Sequence, residues 1–459
     1  MTLNNKTKVV FFHPVYHQKL PRFMSKGSHK PARFRPTPWI SCLSRLARWF
    51  FGFMKEPFDL LSQGRAWRIR RQQSIIHRFF SPEAHDRSGK MNNESHASPQ
   101  RLTSLDALRG FDMFWIVGAE EFVHALSGAS SASWVTFLTE QLSHKKWEGL
   151  AFYDCIFPLF VFLAGVSIVF SLNRSMAQKG RASTLRKVFI RSLILYLIGI
   201  YYYGGFSEGV EKIRLLGVLQ RIALCYLFAA LIFCFTDLKG RLVALVAILG
   251  GYWAMMTFIP VPGVGAGNFE VSKNLANYVD KMYLPLFKWN GDHDPEGLLS
   301  TLPAIGSCLL GVFAGMILQA SNPSHSKKAL QLAGCGLICL ALGYAWSMQF
   351  PIIKKIWTSS FVLVAGGYSF LLMALFYYVI DGLGFHHWCW PFVWIGMNPI
   401  TIYLAHKFLR FDNLANRLVG GPIKGALGNY GEVLVLAVVV AMSFGLVWFL
   451  HRRKIYLRV

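Results

Sequence analysis

The stretch that decides the fold is His144–Phe170, HKKWEGLAFYDCIFPLFVFLAGVSIVF. Its second half is apolar enough to cross a bilayer, and its first half carries ionisable side chains where that crossing begins. Asp154 lies about two helical turns inside the apolar run. A carboxyl group at such a depth is costly unless it faces protein or water, which makes Asp154 a candidate functional residue. His144, just outside the run, has a side chain whose charge changes near neutral pH.

Apolar composition extends through most of the chain. The 459 residues are 53% hydrophobic, with a mean hydropathy of +0.36. Windows of roughly 20 apolar residues recur between Leu105 and Leu450, and this is the length that spans the hydrocarbon of a bilayer. They predict an all-α, polytopic membrane protein with about ten transmembrane helices, near 105–124, 149–172, 188–204, 215–235, 242–260, 298–319, 329–348, 358–380, 391–409 and 431–450.

The first 100 residues differ from the rest. They hold 18 Lys and Arg against 5 Asp and Glu, about half of the net charge of +25. We expect residues 1–100 to be a basic, poorly ordered extension attracted to anionic lipid, ahead of a transmembrane domain at 101–459. The segment Leu43–Met54 predicts a basic amphipathic helix on the membrane surface. Met91, shortly before the first crossing, is an alternative natural start that would make the preceding residues dispensable.

Loop charges predict the orientation of the chain. Five Lys and Arg side chains in residues 173–187 place that loop, like the basic C-terminus, in the cytoplasm of an inner-membrane protein. An even number of crossings then puts both termini in the cytoplasm and His144 on the opposite side. The rule has exceptions, because this orientation places Lys145, Lys146, Lys354 and Lys355 outside.

Several other polar side chains fall within or beside apolar runs. Arg191 and the stretch Arg214–Arg221, RLLGVLQR, put cations inside the bundle. Pairing with an Asp and binding of an anionic ligand such as a phosphate both remain open for them. The acidic stretch 292–297, DHDPEG, suits either a helix cap or the binding of a cationic or hydroxylated substrate. Asn398, followed by Pro399, predicts a helix break that frees backbone groups toward a cavity.

Five of these stretches, in this order, resemble the heparan-α-glucosaminide N-acetyltransferases and their bacterial relatives. The matching blocks are LDALRG at 105–110, HKKWEGLAFYDCIFPLFVFLAGVSI at 144–168, RLLGVLQRIALCY at 214–226, DPEGLLSTLPAIGSCLLGVFAG at 294–315 and WIGMNPITIYLAHKF at 394–408. Residues 1–100 lie outside the resemblance. It implies an enzyme that transfers an acetyl group from cytosolic acetyl-CoA to an amino sugar across the membrane.

The resemblance also implies roles for individual residues. The essential His of the family carries over to His144, and the Asp that follows it carries over to Asp154. An Asn at the end of the first crossing in lysosomal members falls at or beside Glu120 here, so Glu120 and Glu121 are expected to contact the amino sugar. Further substrate contacts are expected from Trp147, Asp294, Glu296 and Asn398. Contacts to acetyl-CoA are expected from basic and amide side chains, namely Arg186, Lys187, Arg191, Arg214, Gln220 and Arg221.

Two mechanisms and three functions remain open from the sequence. His144 acts either as a general base toward the amine or as a nucleophile that carries the acetyl group. Besides N-acetylation, a sugar transporter without acyl transfer and an O-acetyltransferase of a surface glycan are alternatives. The expected partners are acetyl-CoA, an amino sugar and membrane lipids, with a homodimer open and no nucleic acid. No Cys pair has zinc-like spacing with His, so no metal is expected.

Overall fold

The computed structural model describes residues 102–207 and 209–457. The predicted N-terminal extension, with its segment Leu43–Met54 and the alternative start at Met91, therefore lies outside the described residues. Within them the fold is all-helical and no β-strand is present, as the apolar runs predict. Seven helices of this part are long and apolar enough to cross a membrane. The chain is a multi-pass helical membrane protein.

Fifteen α-helices follow one another in the described residues. Those of the first half are α1 (Thr103–Phe114), α2 (Glu120–Ala129), α3 (Ser133–Gln141), α4 (Ile156–Tyr202), α5 (Val218–Phe235), α6 (Leu238–Phe258) and α7 (Leu275–Tyr283). Those of the second half are α8 (Thr301–Gln319), α9 (His325–Ser347), α10 (Ser359–Phe376), α11 (Trp390–Met397), α12 (Pro399–Leu409), α13 (Phe411–Val419), α14 (Pro422–Ala426) and α15 (Gly431–Arg452).

Helix α4 contains two of the predicted crossings. Its 47 residues are too long for one crossing, because a helix rises about 1.5 Å per residue. The chain bends at Gly180, whose φ of 75° and ψ of 170° are not helical. The buried Thr184 hydroxyl donates to the Gly180 carbonyl at 2.8 Å, and its oxygen lies 2.9 Å from Ser175 Oγ, within hydrogen-bond distance, which joins the two arms. The predicted crossings at 149–172 and 188–204 are thus two arms of α4.

The first and ninth predicted crossings are broken helices. In the first, a π-helical turn, Trp115–Ala119, separates α1 from α2, and Gly118 has a φ of 122° that favours glycine. In the ninth, Asn398 has non-helical angles, φ −136° and ψ 47°, between α11 and α12. These two interruptions, together with the joining of two predicted crossings in α4, explain why seven helices of the described chain, and not ten, are long enough for a span. The Asn–Pro break follows the sequence prediction.

The core is built around α4 and α8, which pack at very short range. A Cβ added at Gly165 of α4 would meet the Cys308 carbonyl of α8, and one added at Gly311 of α8 would meet the Phe162 carbonyl of α4. Each glycine therefore lets the backbone of one helix approach the other. This contact fixes α4, the helix that follows Asp154, in the middle of the bundle.

Four connecting segments meet at one end of the bundle, which we call the mouth: residues 142–155, 203–217, 259–300 and 348–358. Gly149 N–H donates to the Ile352 carbonyl at 2.9 Å, and Glu148 pairs with Ile353 in an isolated antiparallel bridge. Trp147 Nε1 donates to the Phe269 carbonyl at 2.9 Å. These bonds join segments more than 100 residues apart and hold the loop that carries His144.

Candidate functional site

His144 and Asp154 contact each other at the mouth. His144 Nδ1 lies 2.9 Å from Asp154 Oδ1, and the Asp154 side chain is 1% exposed while that of His144 is 54% exposed. The other carboxylate oxygen, Oδ2, accepts from the backbone N–H groups of Ala151 and Lys145, at 3.1 Å and 3.2 Å. An ionised carboxylate only accepts hydrogen bonds, so Nδ1 is the donor and Nε2 of His144 keeps its lone pair.

Lys354 completes this pair and was missed as a site residue by the sequence prediction. Its Nζ lies 3.2 Å from Asp154 Oδ1 and 3.1 Å from His144 Nδ1. Lys354 begins a short 3₁₀ turn directly after Ile353, whose bridge to Glu148 brings the two segments together. Burial lowers the pKa of Lys354, although Asp154 opposes the shift. One feature of the sequence indicated Lys354: its positive charge falls on the outer side of the predicted topology, where lysines are less common.

A second chain of contacts runs from His144 to the start of α2. The rings of His144 and Tyr153 lie 4.8 Å apart, with 31° between their planes. Tyr153 OH donates to Glu120 Oε2 at 3.0 Å, and Glu120 Oε1 lies 3.4 Å from His124 Nε2. Glu120, expected as a substrate contact, is therefore linked to His144 through one aromatic side chain.

A cavity of about 180 Å³ opens beside His144. Its polar lining consists of His144, Tyr153, Glu296, Lys354 and Tyr403. Apolar side chains of α1, the π-helical turn, α4, α5 and α12 line the rest, so the cavity is mainly apolar with a few polar groups. A small site of this kind suits an acyl chain or another mainly apolar group presented to a base.

Arg214 forms an ion-pair network at the edge of this cavity. Its guanidinium donates to both oxygens of Asp294, at 2.9 Å and 2.6 Å, and to Glu296 Oε2 at 2.6 Å. It also lies over the rings of Tyr203 and Trp289, 4.5 Å and 5.0 Å from their centroids. Burial raises the pKa of Glu296, although nearby arginines oppose the shift. In this structure Asp294 and Glu296 are both ion-paired with Arg214.

Arg221 is completely buried beside this network. Its Nη2 donates to Ser300 Oγ at 2.5 Å, and the guanidinium lies 5.0 Å from the centroid of Trp357. Its Nε and Nη1 atoms have no hydrogen-bond partner among the described residues. Gln220 Nε2 donates to the Arg214 carbonyl at 3.1 Å. These side chains organise the α5 end of the mouth, and their predicted contact with acetyl-CoA stays a prediction.

The remaining predicted site residues are spread over the molecule. Arg191 lies over the ring of Tyr226, 4.9 Å from its centroid, within the second arm of α4. Arg186 and Lys187 are exposed within two turns of Gly180, away from the mouth. The structure therefore does not gather the six residues predicted for acetyl-CoA at one place.

The residues predicted to contact the substrate also lie in different parts of the molecule. Trp147 packs against Phe269 and its neighbours at the mouth. Asn398 is 1% exposed, and its amide donates to the Ile455 carbonyl at 3.1 Å and accepts from Leu457 N–H at 3.0 Å, so it holds the C-terminal segment. Glu121 is exposed and faces His406 and Asp412.

Comparison with known proteins gives one family and two relatives. The sequence profile of heparan-alpha-glucosaminide N-acetyltransferase, catalytic, matches residues 101–344. The human heparan-alpha-glucosaminide N-acetyltransferase is 29% identical over 427 residues, covering 79% of this chain and 60% of the human protein. The mouse protein of the same name is 28% identical over 373 residues, covering 68% of this chain and 54% of its own length. The chain thus spans less than two thirds of either relative. The matched profile includes His144 and Asp154 but ends before Lys354.

Proposed function

Because the chain belongs to the heparan-alpha-glucosaminide N-acetyltransferase family, we propose that it transfers an acetyl group from cytosolic acetyl-CoA to an amino sugar on the opposite face of the membrane. The observation that carries this proposal is the His144–Asp154–Lys354 group at the mouth of an apolar cavity. The names of the relatives supply the transferred acetyl group and the amino-sugar class of the acceptor, and acetyl-CoA is our proposed donor.

We assign the cavity to the pantetheine arm of the donor. Its lining is mainly apolar, and it includes His144, Glu296 and Lys354, which could meet a thioester and its acceptor. We assign the adenine nucleotide end, a polyanion, to the opposite face of the membrane. The exposed Arg186 and Lys187 supply positive charge on that side.

His144 Nε2 accepts the proton of the attacking amine. An amino sugar is largely protonated near neutral pH and is not nucleophilic until it loses a proton, so a base beside the cavity is required. Asp154 fixes the imidazole through Nδ1 and stabilises the imidazolium that forms. The Lys354 ammonium lies on the cavity wall, where it stabilises negative charge on the thioester oxygen.

The orientation follows from the loop charges. We propose an inner-membrane protein with both termini in the cytoplasm, so that the mouth faces outward and meets the acceptor there. A homodimer and specific lipid contacts stay predictions.

The test is an acetyl-transfer assay on the purified full-length protein. Incubation with labelled acetyl-CoA and glucosamine should give N-acetylglucosamine, and His144→Ala should lower kcat by about 10²–10⁴-fold, as loss of a general base does. His387→Ala, which removes an exposed imidazole outside the mouth, is the matched control and should keep full activity.

Three outcomes would contradict the proposal. These are uptake of unmodified sugar into proteoliposomes without acetyl-CoA, acetylation of hydroxyl-only acceptors at the rate seen with amines, and a fully active His144→Ala variant. Release of one equivalent of CoA without any acceptor would assign His144 as the acetyl carrier in place of the base.

A further inference from the structure

Three side chains with metal-binding groups converge where α2 begins, α12 ends and α13 begins, outside the candidate site but next to Glu120. Glu121 lies in the first turn of α2, His406 in the last turn of α12 and Asp412 in the first turn of α13. One ligand atom from each, an imidazole nitrogen and two carboxylate oxygens, lies within 4.8 Å of the other two. The three residues come from three separate helices, so their convergence is a property of the tertiary fold.

The charges of this cluster are not compensated. Within residues 102–207 and 209–457, no Lys or Arg forms an ion pair with Glu121 or Asp412. Asp412 and Glu120 both lie near enough to Glu121 to repel its negative charge. Like-charged carboxylates that converge without a cation are unfavourable, so an additional cation would stabilise this arrangement.

The imidazole provides an independent observation. His406 Nδ1 is buried and has no hydrogen-bond partner among the described residues, although a buried polar atom is normally paired. The ring packs edge to face against Phe411, with 6.3 Å between centroids. His406 therefore has one nitrogen without a partner among the described residues, on a ring that also contributes a nitrogen close to two carboxylates.

We propose that Glu121, His406 and Asp412 bind one divalent transition-metal ion, with Zn²⁺ as the best match. One nitrogen and two oxygen ligands suit Zn²⁺, whose bonds to these atoms are about 2.0–2.2 Å long. Bonds of that length need ligand atoms about 3–3.5 Å apart, so the side chains close in by about 1 Å. Both carboxylates are exposed and free to make that adjustment, and water completes the tetrahedron.

The ion has a structural consequence for the neighbouring site. It joins the first turn of α2 to α12 and α13, and the adjacent Glu120 accepts the hydrogen bond of Tyr153 beside His144. Metal binding fixes the position of α2 and so holds Glu120 in place, without taking part in acetyl transfer. The proposal does not depend on the proposed activity, because it predicts binding and stabilisation.

The experiment uses full-length protein without a polyhistidine tag, freed of metal with a chelator and dialysed. Zn²⁺ alone should bind with one site by calorimetry and raise Tm. Co²⁺ alone should give visible absorption bands of a nitrogen- and oxygen-ligated ion, a direct report on the ligands. Asp412→Asn and His406→Gln, which nearly preserve side-chain shape, should each weaken Zn²⁺ binding at least tenfold and remove the shift in Tm.

Glu140→Gln is the matched control, because it removes an exposed carboxylate of α3 near the mouth that is not in the cluster. It should bind Zn²⁺ like the unmodified protein. All variants are first compared by gel filtration and circular dichroism, and the Co²⁺ spectrum keeps the test decisive if one variant folds poorly. Absence of saturable Zn²⁺ binding in the unmodified protein, or unchanged binding in Asp412→Asn and His406→Gln, would overturn the proposal.

Discussion

Asp154 shows how single side chains make this site possible. A buried carboxylate is stable only when hydrogen bonds and opposite charge replace its water. Here Oδ2 accepts from two backbone N–H groups, and Oδ1 contacts His144 and Lys354. Removal of any one donor leaves the others in place, but removal of the carboxylate would leave Lys354 without a counterion and His144 without orientation.

Lys354 gives the first prediction at this scale. Lys354→Met should lower kcat by about 10²–10³-fold, because it removes one donor to the developing oxyanion. Burial lowers the pKa of Lys354, so its ammonium form is present below that pKa and is lost as pH rises through it. Activity should therefore decline at a lower alkaline pH than the ordinary lysine pKa of 10.5 would give.

Lys354→Arg keeps the positive charge at this position but raises the pH at which it is lost, and it is tested in the same assay. A guanidinium stays protonated, so the alkaline decline of kcat/KM should move to higher pH in this variant. Lys355→Met, the neighbouring cation with no contact to Asp154, is the control and should leave the pH profile unchanged. An identical alkaline limb in the unmodified protein and in Lys354→Arg would refute the assigned role.

At the scale of elements, the contact between α4 and α8 supports the site. Gly165 and Gly311 allow two helix backbones to approach closely, as small residues do in membrane helix pairs. The loop before α4 carries His144, and α8 follows the segment that carries Glu296. A shift of one helix along the other would therefore change the distance between His144 and Glu296, which both line the cavity.

Gly165→Ala tests this packing. The added methyl would meet the Cys308 carbonyl, so the helices must move apart, at a cost of about 1–3 kcal/mol. Tm in detergent, measured by intrinsic fluorescence, should fall by several degrees. Gly334→Ala in α9 is the matched control, since a Cβ there meets no atom within 4 Å and helix propensity favours Ala. Equal Tm values for the two variants would show that the close approach is unimportant.

At the scale of the whole molecule, the site is assembled from segments far apart in the chain. Residues of the loop before α4, the segment before α8 and the turn at Lys354 all line one cavity. The Glu121, His406 and Asp412 cluster lies near this site, since Glu120 beside it bonds to Tyr153. The proposed orientation places the site and the cluster on the face opposite the adenine nucleotide of acetyl-CoA.

This orientation is tested by labelling single cysteines with a membrane-impermeant maleimide. Glu140→Cys at the mouth should react in intact cells, and Lys179→Cys in the predicted cytoplasmic loop should react only in inverted vesicles. Both side chains are exposed, so accessibility within the fold does not distinguish them. Among the described residues the native cysteines are buried or half-buried, which limits background labelling. The opposite pattern would place His144 in the cytoplasm and remove the basis of the transmembrane transfer.

Some of the site could be predicted because it is local in sequence. His144 and Asp154 are ten residues apart, at the junction between a polar loop and an apolar run, and the pair was expected from that position. The break at Asn398 was expected from the proline that follows it. Lys354 is 200 residues from Asp154, and nothing in its own neighbourhood indicated the contact beyond its unusual charge.

The amino-acid sequence by itself determined an all-helical membrane protein. An apolar run of bilayer length pairs all its backbone N–H and C=O groups within itself only when it forms a helix. It also determined which ionisable side chains lie at or within those runs. Only the tertiary structure decided that Lys354 joins His144 and Asp154, that Arg214 pairs with Asp294, and which helices bring Glu121 to His406. Hydrophobic periodicity marks the face that a helix buries, but the identity of its neighbour depends on packing between segments distant in the chain.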